Sequence, residues 1–162
     1  MEMNDVFHER QQRKERVLYK HVLIPRDGSE LSDKAMEQAF DFARQIGAKV
    51  TLLMVVEPFQ VLTLNPDGLQ EAYAQIDRQN LDAAKTTLNK NKALAEARGL
   101  ACDVIDARSI DPAHVIVSVA EEAGCDLIAM ASHGKGGFKA FMLGSVTMKV
   151  LAQSKIPVLV YR

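Results

Sequence analysis

The chain has 162 residues, of which 48% are apolar and 25% charged, and its net charge is −1. That is ordinary globular composition, in one domain large enough to bury its own core. With a net charge near zero, nothing global pulls the chain toward nucleic acid or anionic lipid, and neither is an expected partner.

Residues 1–18 are polar and mix both signs, with His8, Glu9, Arg10, Arg13, Lys14, Glu15 and Arg16. They read as a solvated extension or, alternatively, as a partner-binding arm. The segment lacks the apolar stretch of a signal peptide, and no run in the chain has the length of a membrane span. A cytoplasmic location and no membrane partner are the expectation.

The run Val22-Leu23-Ile24 within residues 21–25 predicts a strand covered on both faces. Ser29 or Ser32 can cap the next helix. Its apolar positions, Ala35, Met36, Ala39, Phe40, Phe42, Ala43 and Ile46, recur at helical spacing, and Gly47 stands where a left-handed residue would end it. Residues 49–56 form a second buried strand, and 57–68 a loop with Pro58, Pro66 and an Asp67-Gly68 turn. A long helix from about Leu69 to Arg98 ends at Gly99. Residues 101–107 are a third strand, shorter and more polar, and so nearer a sheet edge.

Asp111 can cap the following helix, with Pro112 at the first helical position, where a missing N–H costs nothing. That helix runs to Ala123, and Gly124 closes it. Residues 126–131 are the fourth strand, 144–153 a helix and 157–161 the fifth strand. Cys102 and Cys125 form no CxxC pair and read as reduced, buried thiols. Strand–helix alternation with buried strands implies an α/β fold with a parallel sheet and helices on both faces. Such sheets take ligands beyond the carboxyl ends of their strands, where the strand order reverses.

The loop after the fourth strand, residues 131–147, carries what a polyphosphate needs. Gly134, Gly136, Gly137 and Gly144 let the backbone approach an anion. Lys135 and Lys139 supply positive charge. Gly144-Ser145 opens a helix, where unpaired N–H groups favour negative charge, and the hydroxyls of Ser145 and Thr147 can add hydrogen bonds. The loop is not a Walker sequence, since Gly136 follows Lys135 and position 129 is alanine. Nor is it a GxGxxG, because position 139 is lysine. Taken alone it also fits a surface loop leading into a capped helix.

The spacing of Gly134, Gly144 and Ser145 resembles the nucleotide signature of the universal stress protein family, G-x2-G-x9-G-(S/T). Ile24-Pro25-Arg26-Asp27-Gly28-Ser29-Glu30 looks like that family's first strand and its aspartate-containing turn, and residues 155–160 look like its last strand. The resemblance covers residues 19–162. It implies a Rossmann-like, doubly wound, five-stranded parallel sheet in the order 3-2-1-4-5. It further implies binding of ATP, or of AMP or ADP, with Mg or Mn as companion and no closed protein cage for the metal.

Site residues follow from the same resemblance. Asp27 stands by the ribose or the metal-bound phosphates, Val55 and Met130 flank the adenine, and Pro25, Ala131, His133, Gly134, Lys135, Gly144, Ser145, Val146 and Thr147 complete the nucleotide site. Asp27 also fits a turn aspartate bonded to its own backbone, and Val55 and Met130 fit ordinary core. Lys135 and Lys139 face solvent without ligand and screen phosphate with it. His133 can bond a phosphate or hold the loop's shape, and His8, His21 and His114 offer it no metal-ligand spacing.

Ala131 departs from the family, which has glycine there. Alanine suffices if the position needs only extended angles, and weakens ATP binding if it needs a glycine angle. The expected function is that of an ATP-binding stress-response regulator working with an unknown protein partner. The resemblance also implies a homodimer through residues 157–161, whose apolar edge would otherwise be exposed; the N-terminal extension could cover it instead. The alternatives are a nucleotide-free dimeric scaffold and a slow ATPase or autophosphorylating protein. No residue is assigned as catalytic, since Asp27 and His133 lack an orienting partner in the sequence.

Overall fold

Short β-branched runs and amphipathic helices alternate along the chain and build one parallel sheet. The computed structural model describes residues 19–58, 70–135 and 143–162. The strands are β1 (His21–Arg26), β2 (Lys49–Val56), β3 (Cys102–Arg108), β4 (Leu127–Ala131) and β5 (Val158–Tyr161). The helices are α1 (Glu30–Ile46), α2 (Gln70–Ala97), α3 (Pro112–Glu122) and α4 (Ser145–Gln153). The sheet order is β3-β2-β1-β4-β5, with every pairing parallel. This is the doubly wound order expected from the sequence. The N-terminal extension, the Asp67-Gly68 turn and Lys139 lie outside the described residues.

Alternation along the strands makes two cores. Val22, Ile24 and Leu52 pack on one face with Phe40 of α1 and Leu88 of α2. Leu23, Leu53 and Ile128 pack on the other with Ile116 of α3 and Val150 of α4. Ser29 caps α1 by accepting from the Ser32 N–H, and Gly47 closes it with φ of 68°. Asp111 caps α3 in the same way, accepting from the His114 N–H. Cys102 and Cys125 are buried free thiols, and burial pushes both up to about 11.

Two boundaries differ from expectation. β3 is the expected edge strand, with 7 residues against the 8 of β2, but it is shifted by one residue to Cys102–Arg108. Its pairing with β2 is continuous from Cys102 to Arg108, and Arg108 at its end pairs with Asp77 of α2. β1 runs one residue past Pro25. The carbonyl of Lys20 faces β2 and that of His21 faces β4, so the Pro25 nitrogen faces the β4 side. The β4 pairing ends at Leu23, while the β2 pairing continues through Arg26. A missing N–H therefore falls where there is no ladder to break. It also leaves a gap between β1 and β4, the point at which the strand order reverses.

Candidate functional site

The gap is filled by a carboxylate. Asp27 follows β1 directly. Its Oδ1 accepts from the Ser29 N–H at 3.0 Å and the Ser29 hydroxyl at 2.7 Å, and its Oδ2 from the Lys135 N–H at 2.8 Å. Asp27 is thus the turn aspartate that its spacing suggests, and it also clamps the loop after β4. Burial pushes its carboxyl up, but the bonds from Ser29 and Lys135, with the Lys135 charge, leave it below the ordinary value.

The two loop glycines are needed for close approach rather than for unusual angles. A Cβ on Gly134 would lie 2.4 Å from Asp27 Oδ2. One on Gly144 would lie 3.2 Å from the His133 Cα and 3.4 Å from the Ser132 carbonyl oxygen. Gly144 has φ of −63° and ψ of 153°, open to any residue. Its N–H donates to the Ser132 carbonyl at 2.8 Å, which pins the far end of the loop to the near end. Gly144 is the N-cap of α4 and has no side chain to cap it. The first-turn N–H groups of Ser145 and Val146 thus face the cleft without a capping oxygen.

Ala131 closes β4 in register with Tyr161 and is buried. No non-glycine residue among those described has positive φ, so Ala131 takes ordinary extended angles. Its carbonyl accepts from the Thr147 hydroxyl at 3.0 Å, tying α4 to the strand end. The Ser132 hydroxyl and His133 Nδ1 share a bond of 2.9 Å, while His133 Nε2 is buried and finds no partner among the described residues. Val55 and Met130 belong to the α3/α4 core and also line the cleft. Lys135 is exposed; a Cβ on Gly28 would sit 3.9 Å from its Nζ, so its ammonium lies over the Asp27 turn.

All twelve residues that the sequence singles out line one cleft of about 910 Å³ at the carboxyl ends of β1, β2 and β4. The sequence assigns no part in this site to Arg26, Asn80 or Thr87, which line it too, nor to Ser32, read there only as a possible helix cap. Arg26 carried a signal, since a charged residue ends an apolar strand on the Val22–Ile24 face. Asn80 and Thr87 carried none, being polar positions on a largely polar helix. Arg26 is almost wholly buried and pairs through Nη2 with Asp33. Burial pulls its guanidinium below the usual range, and Asp27 and Glu37 oppose that shift.

The universal stress protein family model matches residues 18–162. The chain belongs to the universal stress protein family. Universal stress protein MJ0531 of Methanocaldococcus jannaschii is 32% identical over 145 residues, covering 90% of this chain and 83% of that protein. The solved structure of the hypothetical protein MJ0577, from the same organism, has a TM-score of 0.74 at 32% identity, covering 88% of this chain and 94% of that one. A universal stress protein solved in complex with cAMP has a TM-score of 0.63 at 24% identity, covering 89% and 97%, and shares the fold. Among the described residues, no helix is long and apolar enough to cross a membrane.

Proposed function

We propose that this universal stress protein is an ATP-binding regulatory protein that works as a homodimer and signals to a protein partner. The observation that carries this reading is the close packing at Gly134 and Gly144, the first against Asp27 and the second against Ser132 and His133, with the uncapped start of α4 opening into the cleft. A β-carbon at Gly134 or Gly144 would crowd the loop, and free N–H groups at a helix start suit phosphate oxygens. Val55 and Met130 offer apolar walls for a base.

Magnesium or manganese would be held by the phosphates together with Asp27. No group of three or more His, Cys, Asp or Glu residues among those described could hold a metal ion. The Asp27 carboxylate already takes three donors, and His133 Nδ1 is engaged by Ser132. The Asp27 carboxylate is thus occupied in holding the turn and the loop, and Ser132 holds the His133 ring; no orienting acid is bonded to His133 among the described residues, which favours retention of the nucleotide over turnover.

Calorimetric titration with ATP, with and without Mg²⁺, tests this. Saturable heat is expected from the wild type, and it should vanish in Gly144→Asp, which sets a carboxylate at the start of α4. A silent wild type would leave the nucleotide-free scaffold as the better account. Steady phosphate release would favour the slow ATPase.

A further inference from the structure

Part of the lining of the cleft is not used by the contacts above: Arg26, Met54, Asn80 and Thr87. Arg26 stands beside Met54 in the sheet register, on the face that packs against α1 and α2, and Asn80 and Thr87 lie on α2, so this part is the α1/α2 lobe of the cleft. Ala83 and Ala84 of α2 add little bulk to it. The Arg26 side chain is 3% exposed. Nη2 pairs with Asp33, but Nε and Nη1 are buried and find no hydrogen-bond partner among the described residues.

Guanidinium stays protonated in proteins, so these are cationic donors held out of water. Local carboxylates do not exhaust them. Glu37 pairs with Arg98, and Asp27 lies with Lys135, leaving Asp33, which is itself 55% exposed. A phosphate oxygen would meet both the unmet hydrogen bonds and the charge. An arginine beside a ribose-facing acid is also the arrangement by which dinucleotide sites accept a phosphorylated ribose.

We propose that Arg26 makes the α1/α2 lobe a second phosphate subsite, so that the cleft prefers a nucleotide with a phosphate apart from its 5′ chain. This rests on the nucleotide reading above. The second phosphate arrives on the ribose of the same nucleotide or as free phosphate beside it, and both use the same donors.

The test is calorimetry with AMP, adenosine 2′,5′-bisphosphate and adenosine 3′,5′-bisphosphate, and with inorganic phosphate added to ATP-saturated protein. One bisphosphate is expected to bind about tenfold tighter than AMP, and the ratio should fall to near one in Arg26→Met. Phosphate binding to the ATP-saturated wild type, lost in Arg26→Met, supports the subsite with free phosphate as its source. Equal affinity for all three nucleotides, with no phosphate binding, overturns the subsite and leaves the nucleotide reading intact. A preference that survives in folded Arg26→Met overturns it as well. If that variant does not fold, Asp33→Asn, which releases Nη2, should widen the preference, and an unchanged ratio overturns the subsite. Silence with every nucleotide sinks the nucleotide reading and the subsite together.

Discussion

The Lys135 N–H donates to Asp27 Oδ2 at 2.8 Å across 108 positions of sequence. The other oxygen of that carboxylate holds Ser29, which caps α1. One side chain thus couples the start of α1 to the loop after β4, on either side of the strand-order reversal. Asp27→Ala should weaken ATP binding by about tenfold or more, because it frees the loop and removes the carboxylate from the cleft. Calorimetry reads the affinity, and hydrogen exchange should show the Lys135 amide losing protection.

The same carboxylate sets a pH dependence. Its pKa in the fold lies below the ordinary value, so the unfolded chain takes up the proton first as pH falls. The stabilisation is fully present above the ordinary carboxylate range and is lost as pH falls through the folded value. Denaturant melts taken in steps below about pH 5 should therefore fall more steeply for wild type than for Asp27→Asn. Parallel slopes would mean that the carboxylate is not held as the hydrogen bonds imply.

Gly134 is the steric counterpart of Asp27. Its φ lies outside the left-handed region, so backbone strain is not what excludes a side chain there. The obstacle is the carboxylate 2.4 Å from the Cβ position. Gly134→Ala should cost about 1–3 kcal/mol in chemical denaturation, as overpacking does. Adding Asp27→Ala removes the obstructing oxygen, so the double variant should lose less than the sum of the two singles.

Much of this was legible in the sequence, for a physical reason. Buried parallel strands need continuous apolar runs such as Val22-Leu23-Ile24, and caps need Ser29 and Asp111, so the elements could be read directly, while the strand order 3-2-1-4-5 was what the family resemblance implied. The end of β1 was harder, because proline reads as a breaker until one knows which way its nitrogen faces. Arg26 was harder still. Its burial and its single ion-pair partner depend on α1 and α2 packing over the sheet, which local spacing does not encode.

Ala131 shows the opposite case, in which local sequence raises a question that structure can answer. The family's glycine is absent, yet the position is an ordinary strand end with extended angles. Ala131→Gly should therefore leave ATP affinity where it was and lower stability by about 0.5–1 kcal/mol, the backbone-entropy cost of glycine in a strand. A clear gain in affinity would show that the methyl group, rather than the backbone angle, obstructs the phosphates.

The proposed homodimer has its own geometric test at β5, which is bonded to β4 on one side only. The carbonyls of Pro157 and Tyr161 accept from Ile128 and Ser132 of the β4 side, so by alternation the N–H groups of Val158 and Val160 point outward. All four residues of β5 are half-buried apolar or aromatic side chains. Met148 and Leu151 of α4 are 49% and 42% exposed, leaving apolar surface on the last helix as well. An edge with no second strand beside it among the described residues invites a partner strand, and a second copy supplies one by two-fold symmetry. Val160→Pro deletes an outward N–H without removing a donor to β4, the one strand setting in which proline is tolerated. Light scattering at micromolar concentration should give a dimer mass for wild type and a monomer mass for Val160→Pro, with unchanged circular dichroism. A wild-type monomer would remove the edge-pairing dimer from the proposed function, and a variant that stays dimeric would move the interface away from β5.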